Sequence, residues 1–262
     1  MVIMRKAIIL FVGAMEKELA GLNKYYHCHL SAKLQDQYPL FTNKTKSVAI
    51  LHTQVGETNA AIATTLAINA QRPDLVIKIG CVGGNSVGIH TGDIVVPIAY
   101  FHSAAWITRA RKNNQPTSDA SQWQSVFGEK PYQVNSGNLH GRPYIFYPDL
   151  KATKKLTAFL NKTRLTHTTA YIGGGNMWFF DKGFMRHVPR AQIPAKLITQ
   201  RWVADMESYA IAHACYVHQV PFTGIYRVSN SDYYDEPYLP EKVAKYFSTQ
   251  FIQTVAPFIN NL

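Results

Sequence analysis

The chain has 262 residues, 47% hydrophobic and 12% aromatic, enough to fill the core of one ordinary α/β domain and too much for extensive disorder. Its 27 Lys and Arg against 16 Asp and Glu leave a charge of +11, which attracts anions but names no partner. No zinc-finger, RNA-recognition or basic-zipper signature accompanies that charge, which argues against nucleic acid as the partner.

Residues 1–13 carry two early positive charges and an apolar run at 7–12. The run is too short for a signal peptide, and Glu16, Lys17 and Glu18 follow where a cleavage site belongs. A buried first strand is predicted instead, with a helix beginning over 14–22. A strand at 47–53 leads through Gly56 into a helix at 59–70. Residues 74–79 are apolar almost throughout, as in a central strand covered on both faces, and 93–97 form another strand. From Arg109 to Arg142 the chain is polar, basic and broken by Pro116, Gly128, Pro131 and Gly137. So long a stretch reads as a solvated insertion, or else as a lid or subunit-contact loop. A strand at 170–173 precedes a glycine cluster. Helical spacing covers 205–218, a strand 221–228 and a closing helix 240–258. Strands alternating with helices predict one α/β domain over 1–262: three layers, a mostly parallel central sheet flanked by helices.

Cys28, Cys81 and Cys215 are odd in number and far apart, without a CxxC pair. They predict neither a disulfide framework nor a metal site, and suit a reducing, cytoplasmic setting. No run approaches the roughly 20 apolar residues of a membrane span.

Ligands of parallel sheets bind at the carboxyl ends of the strands, and four motifs lie at such ends. After the first strand comes Gly13-Ala14-Met15-Glu16-Lys17-Glu18. Glu16 reads as a favourable partner of the helix dipole. Glu18 is placed to hold and deprotonate a water. The turn Ile79-Gly80-Cys81-Val82-Gly83-Gly84 allows close backbone approach to a ligand, but its spacing fits neither a Walker loop nor GxGxxG. No basic residue adjoins Cys81, so it is not read as a nucleophile. In Gly173-Gly174-Gly175-Asn176-Met177-Trp178-Phe179-Phe180, Phe180 reads as core, while Trp178 or Phe179 offers a wall for a flat base. In Val203-Ala204-Asp205-Met206-Glu207-Ser208, Asp205 reads as a helix cap. Glu207, just before an apolar run, needs a partner, and a ribose diol is one. Residues 227–232 end a strand with polar groups able to read a base edge.

Together these motifs resemble the purine nucleoside phosphorylase/uridine phosphorylase superfamily, and within it the methylthioadenosine/S-adenosylhomocysteine nucleosidases. The similar stretches are 13–18, 55–66, 74–84, 91–96 and, best of all, 203–230, where Asp-Met-Glu, Ala-Ile-Ala-His and Val-Pro-Phe keep order and spacing. The resemblance implies that Glu18 positions the attacking water, Glu207 grips the ribose hydroxyls and Met206 packs under the sugar. Gly80 and Cys81 would lie near the water, Cys81 where a serine or threonine is usual. Trp178 and Phe179 match the base-stacking and backbone-reading pair. Asn230 stands where the family has the aspartate that protonates the purine at N7.

The implied substrate is a small purine nucleoside, cleaved by dissociative hydrolysis without metal or organic cofactor, in a homodimer whose neighbouring subunit completes the pocket. A phosphorylase, possibly 6-oxopurine-specific, is one rival; its nucleophile site needs cations where Glu18 would repel phosphate. A non-catalytic nucleoside-binding protein is the other. At the base, either Asn230 itself reads a 6-oxopurine, or Asp232, two residues on along an extended segment, supplies the proton to an adenine.

Overall fold

In the computed structural model, residues 7–108, 119–126, 144–163, 166–193 and 201–259 are described. In chain order the elements begin with β1 (Ile9–Gly13), α1 (Glu16–Tyr25), β2 (His29–Leu34), β3 (Tyr38–Thr42), β4 (Val48–His52) and α2 (Glu57–Gln71). Then come β5 (Leu75–Gly84), β6 (Ile94–His102), β7 (Trp106–Ile107), β8 (Gln124–Ser125), β9 (Ile145–Phe146), α3 (Leu150–Thr163) and β10 (His167–Gly174). The chain continues through α4 (Lys182–Gln192), β11 (Trp202–Asp205), α5 (Ser208–Val217), β12 (Phe222–Asn230), α6 (Pro240–Lys245) and α7 (Phe251–Ile259).

One large sheet runs β11-β10-β6-β12-β5-β1-β4-β3-β2. Its long central pairings, β12 with β5 and β10 with β6, are parallel. Antiparallel pairing is confined to the β2–β3–β4 edge and to contacts two residues long, among them β11 on β5. That last contact folds the sheet back on itself, so the ends of β5, β11 and β12 face one space. Period-two alternation sets the layers. Leu10, Val12, Val76 and Val82 face the side covered by α2 and α5, while Phe11, Ile77 and Ile79 face α1, α3 and α7. A third cluster, with Trp202, Phe184 and Phe101 at its heart, packs α4 against β10 and β11.

The strands predicted at 74–79 and 93–97 run on to Gly84 and His102. The closing helix is interrupted by a π-helical turn, Tyr246–Gln250, between α6 and α7. Of the basic insertion at 109–142, only residues 119–126 are among those described; there Trp123 packs against Phe184, rings 5.4 Å apart. No helix among the described residues is long and apolar enough to cross a membrane.

Candidate active site

A cavity of about 290 Å³ opens where β1, β5, β11 and β12 end. Its wall includes Glu18, Cys81, Trp178, Phe179, Met206 and Glu207, with Asn230 and Asp232 at one end. All but one of the residues singled out from sequence therefore meet in one place. The exception is Gly80, which is buried behind the wall. A side chain there would come 2.7 Å from Lys78 Nζ and 3.1 Å from Glu18 Oε1, so its bare Cα makes room for two charges rather than for a ligand.

Glu18 lies in the first turn of α1 and folds back on the strand–helix junction. Its Oε2 accepts hydrogen bonds from the backbone N–H of Ala14 (3.1 Å) and Met15 (3.0 Å), and its Oε1 from that of Cys81 (3.0 Å). Three backbone donors thus fix a carboxylate that is only 2% exposed. Glu16 points outward, as a simple dipole partner does.

Glu207 sits immediately before α5. Gly56 donates its N–H to Oε1 at 2.9 Å, an approach made with the backbone at φ 101°, where glycine is favoured. The protein itself provides the partner that Glu207 needs: Lys78 Nζ lies 3.7 Å from Oε2. The N-cap of α5 is Glu207 rather than Asp205, but Asp205, the last residue of β11, accepts from the N–H of Glu207 (3.3 Å) and Ser208 (3.0 Å) and from the Ser208 hydroxyl.

Burial pushes the Glu207 carboxyl up to about 7, with Lys78 pulling it down and Asp205 adding to the rise. In the unfolded chain the ordinary value near 4.5 applies, so between these limits the folded form holds more protons. Glu207 therefore favours the fold below about pH 4.5 and loses that contribution as pH climbs through 7. Relative to wild type, Glu207→Gln should gain on the order of 3 kcal/mol in unfolding free energy between pH 5 and 8. Urea titrations across that range check it; a difference independent of pH would rule it out.

At the other end of the cavity, β12 carries a bulge between Val228 and Asn230, two residues spanning the step from Val82 to Gly83 of β5. Ser229 donates its hydroxyl to Asn230 Oδ1 (2.8 Å), and Asn230 Nδ2 donates to Asp232 Oδ2 (3.0 Å). Trp178 Nε1 donates to the same oxygen at 2.8 Å. Burial raises the Asp232 carboxyl above its usual range, against the pull of these two hydrogen bonds.

Trp178 stands at the mouth, 53% exposed, with Tyr238 edge-on to it at 6.4 Å. Phe179 is buried and edges against Trp202 at 5.2 Å. Phe180 is not core, as its sequence context suggested, but 73% exposed and stacked on Trp178 at 6.2 Å. Beyond Gly175 the chain leaves the sheet, and in this segment Phe179 turns inward while its neighbours turn out. The Cys81 thiol is pushed well above its ordinary value by burial and by Glu18, against the pull of Lys78, so it stays protonated and unreactive.

Sequence reasoning missed Lys78, Asn85 and Tyr238 as site residues. For Lys78 the signal was present: it is the one charged residue inside the apolar run of β5.

An α/β sheet closed over a pocket of buried carboxylates and aromatic rings defines a small-molecule enzyme rather than a scaffold. The phosphorylase superfamily profile matches residues 8–257, and the chain belongs to that superfamily. The 5′-methylthioadenosine/S-adenosylhomocysteine nucleosidase of Staphylococcus aureus (strain MRSA252) is 26% identical over 221 residues, 84% of either chain. Among solved structures, the Neisseria meningitidis nucleosidase of that name, in complex with methylthio-immucillin-A, superposes with a TM-score of 0.71 at 20% identity. It covers 98% of this chain and 100% of its own. The futalosine hydrolase of Helicobacter pylori gives 0.73 at 13% identity, over 98% and 100%.

Proposed function

We propose that the protein is a purine nucleosidase that hydrolyses the N-glycosidic bond of nucleosides like methylthioadenosine and S-adenosylhomocysteine. The observation that carries this reading is Glu18, a carboxylate held by three backbone N–H groups against the cavity. A carboxylate so placed accepts a proton from water and repels phosphate. Lys78 leaves no spare positive charge for phosphate, because Glu18, Asp205 and Glu207 surround it.

In this reading the bond to the base lengthens first and the sugar gains oxocarbenium character. Glu18 orients the water and takes its proton as it captures C1′. Glu207 accepts hydrogen bonds from the ribose hydroxyls, and its negative charge favours the developing positive one. Met206 packs under the sugar, while Trp178 and Phe179 flank the base. Asp232 protonates the leaving purine. Val55, Trp178 and Phe180 leave apolar surface exposed beside the mouth, which supports a homodimer in which a second subunit covers it. The three free cysteines suit a cytoplasmic setting.

The test is release of free base from methylthioadenosine, S-adenosylhomocysteine, adenosine, inosine and futalosine, with and without phosphate. Adenine should appear from the first two, at a rate phosphate does not raise. Formation of a sugar 1-phosphate in preference to the free sugar would assign the enzyme to phosphorolysis instead.

A further inference from the structure

Lys78 is fully buried in the middle of β5, on the face that also carries Val76 and Val82. The paired strands set only Val12 and Gly224 opposite it, so its neighbours in the sheet offer no counter-charge. The charges come from elsewhere. Glu207, ahead of α5, is 3.7 Å away. Glu18 of α1 borders the same Cβ-sized space at Gly80 that the ammonium borders. Asp205 of β11 contributes a third negative charge. The remaining titratable groups nearby are neutral or engaged elsewhere. The Cys81 thiol and the Tyr226 phenol of β12 are both raised well above their ordinary values by burial, and Lys17 of α1 donates to the Tyr238 hydroxyl at 2.8 Å.

Three buried carboxylates grouped without a cation would not all ionise. Resting on the nucleosidase reading, we propose that Lys78 is a positioning residue. Its ammonium offsets the charge of the carboxylates grouped around it and so eases the ionisation of Glu207 beside Glu18 and Asp205, without itself touching substrate. The fixed backbone donors at Ala14, Met15, Cys81 and Gly56 set where the two carboxylates stand. Lys78 sets their charge. Burial drags its own ammonium down, but the pull of Glu18, Glu207 and Asp205 prevails and holds it above its ordinary value, so it remains a cation throughout the working range.

The experiment is a ¹³C-carboxyl titration of the ligand-free protein by NMR, with the Glu207 resonance assigned by its loss in Glu207→Gln. In Lys78→Met the Glu207 midpoint should rise by at least about one unit. The acidic limb of kcat/KM should rise with it, so that activity at pH 7 falls at least about fivefold and recovers towards pH 9. Should Lys78→Met fail to fold, the charge-balanced pair Lys78→Met with Glu207→Gln should fold, for the same reason. An unmoved Glu207 midpoint, or a double variant as unfolded as the single one, would make Lys78 a packing residue and overturn the proposal. The titration needs no substrate. If the midpoint moves but no nucleoside is cleaved, Lys78 keeps its charge-holding role and the nucleosidase reading alone is lost.

Discussion

Glu18→Gln is expected to lower the rate of base release by at least about a hundredfold while the protein still folds. The amide keeps the size of the carboxylate, but its nitrogen cannot accept the hydrogen bonds that Ala14, Met15 or Cys81 donate, and it has no use for a proton from water. Glu207→Gln has an effect of the same order by a different route, since an amide neither grips two ribose hydroxyls as acceptor nor favours an oxocarbenium charge. The two variants separate in their constants. Glu18→Gln loses kcat with KM nearly unchanged, whereas Glu207→Gln loses both, because the ribose is held in the ground state as well. Steady-state kinetics on methylthioadenosine, with circular dichroism as the check on folding, decides the matter. Near-full activity in Glu18→Gln would remove the hydrolytic assignment of that residue.

The second large effect belongs to Asp232. Asp232→Asn should lose about a hundredfold or more on adenine nucleosides, and Asn230→Asp should change little. Both Asn230 and Trp178 donate to Oδ2 of Asp232, and among the described residues nothing bonds to Oδ1. That oxygen is free to carry a proton to the base, and burial already favours its protonated form. Asn230 has its amide committed at both ends, to the Ser229 hydroxyl and to Asp232. In the proposed reading it orients the acid and does not replace it. Assays of both variants on adenosine-type and inosine-type nucleosides are the measurement. A switch from inosine-type to adenine-type preference in Asn230→Asp would show that position 230 reads the base and that Asp232 does not.

Much of this was legible in the sequence because the determinants were local. The apolar runs of β1, β4 and β5 and the helical spacing of α2 and α5 announce themselves within a few residues of chain. The β2–β3 hairpin did not. Every residue of β2 but the last is exposed, and the turn adopts left-handed backbone at Gln35 (φ 50°) and Asp36 (φ 55°) without a glycine or asparagine to advertise it. Helix α3 was not predicted either, although Asp149, which accepts from Ala152 N (2.7 Å), and Ala152, Leu156 and Leu160 spaced along one face carry its signal. Within the site, the glutamates stood out because charge beside apolar sequence is conspicuous. Lys78 is the same kind of signal, a charge within apolar sequence, but its role becomes clear only when Glu18, Asp205 and Glu207, remote in the chain, come around it.

The bulge in β12 has a consequence for how such a site can change over time. It inserts one residue ahead of Asn230, the last residue of the strand, and so sets which way that side chain turns; Asp232 follows in the turn beyond. Deleting that residue would shift the strand end by half a pleat and turn Asn230 away from the cavity, breaking its hydrogen bond to Asp232 though neither had been replaced. In the proposed reading, the support for the proton donor thus depends on strand phase as much as on side-chain identity. A lineage moving between an aspartate at 230 and one at 232 has two routes, a pair of point substitutions or a change in where the extra residue falls.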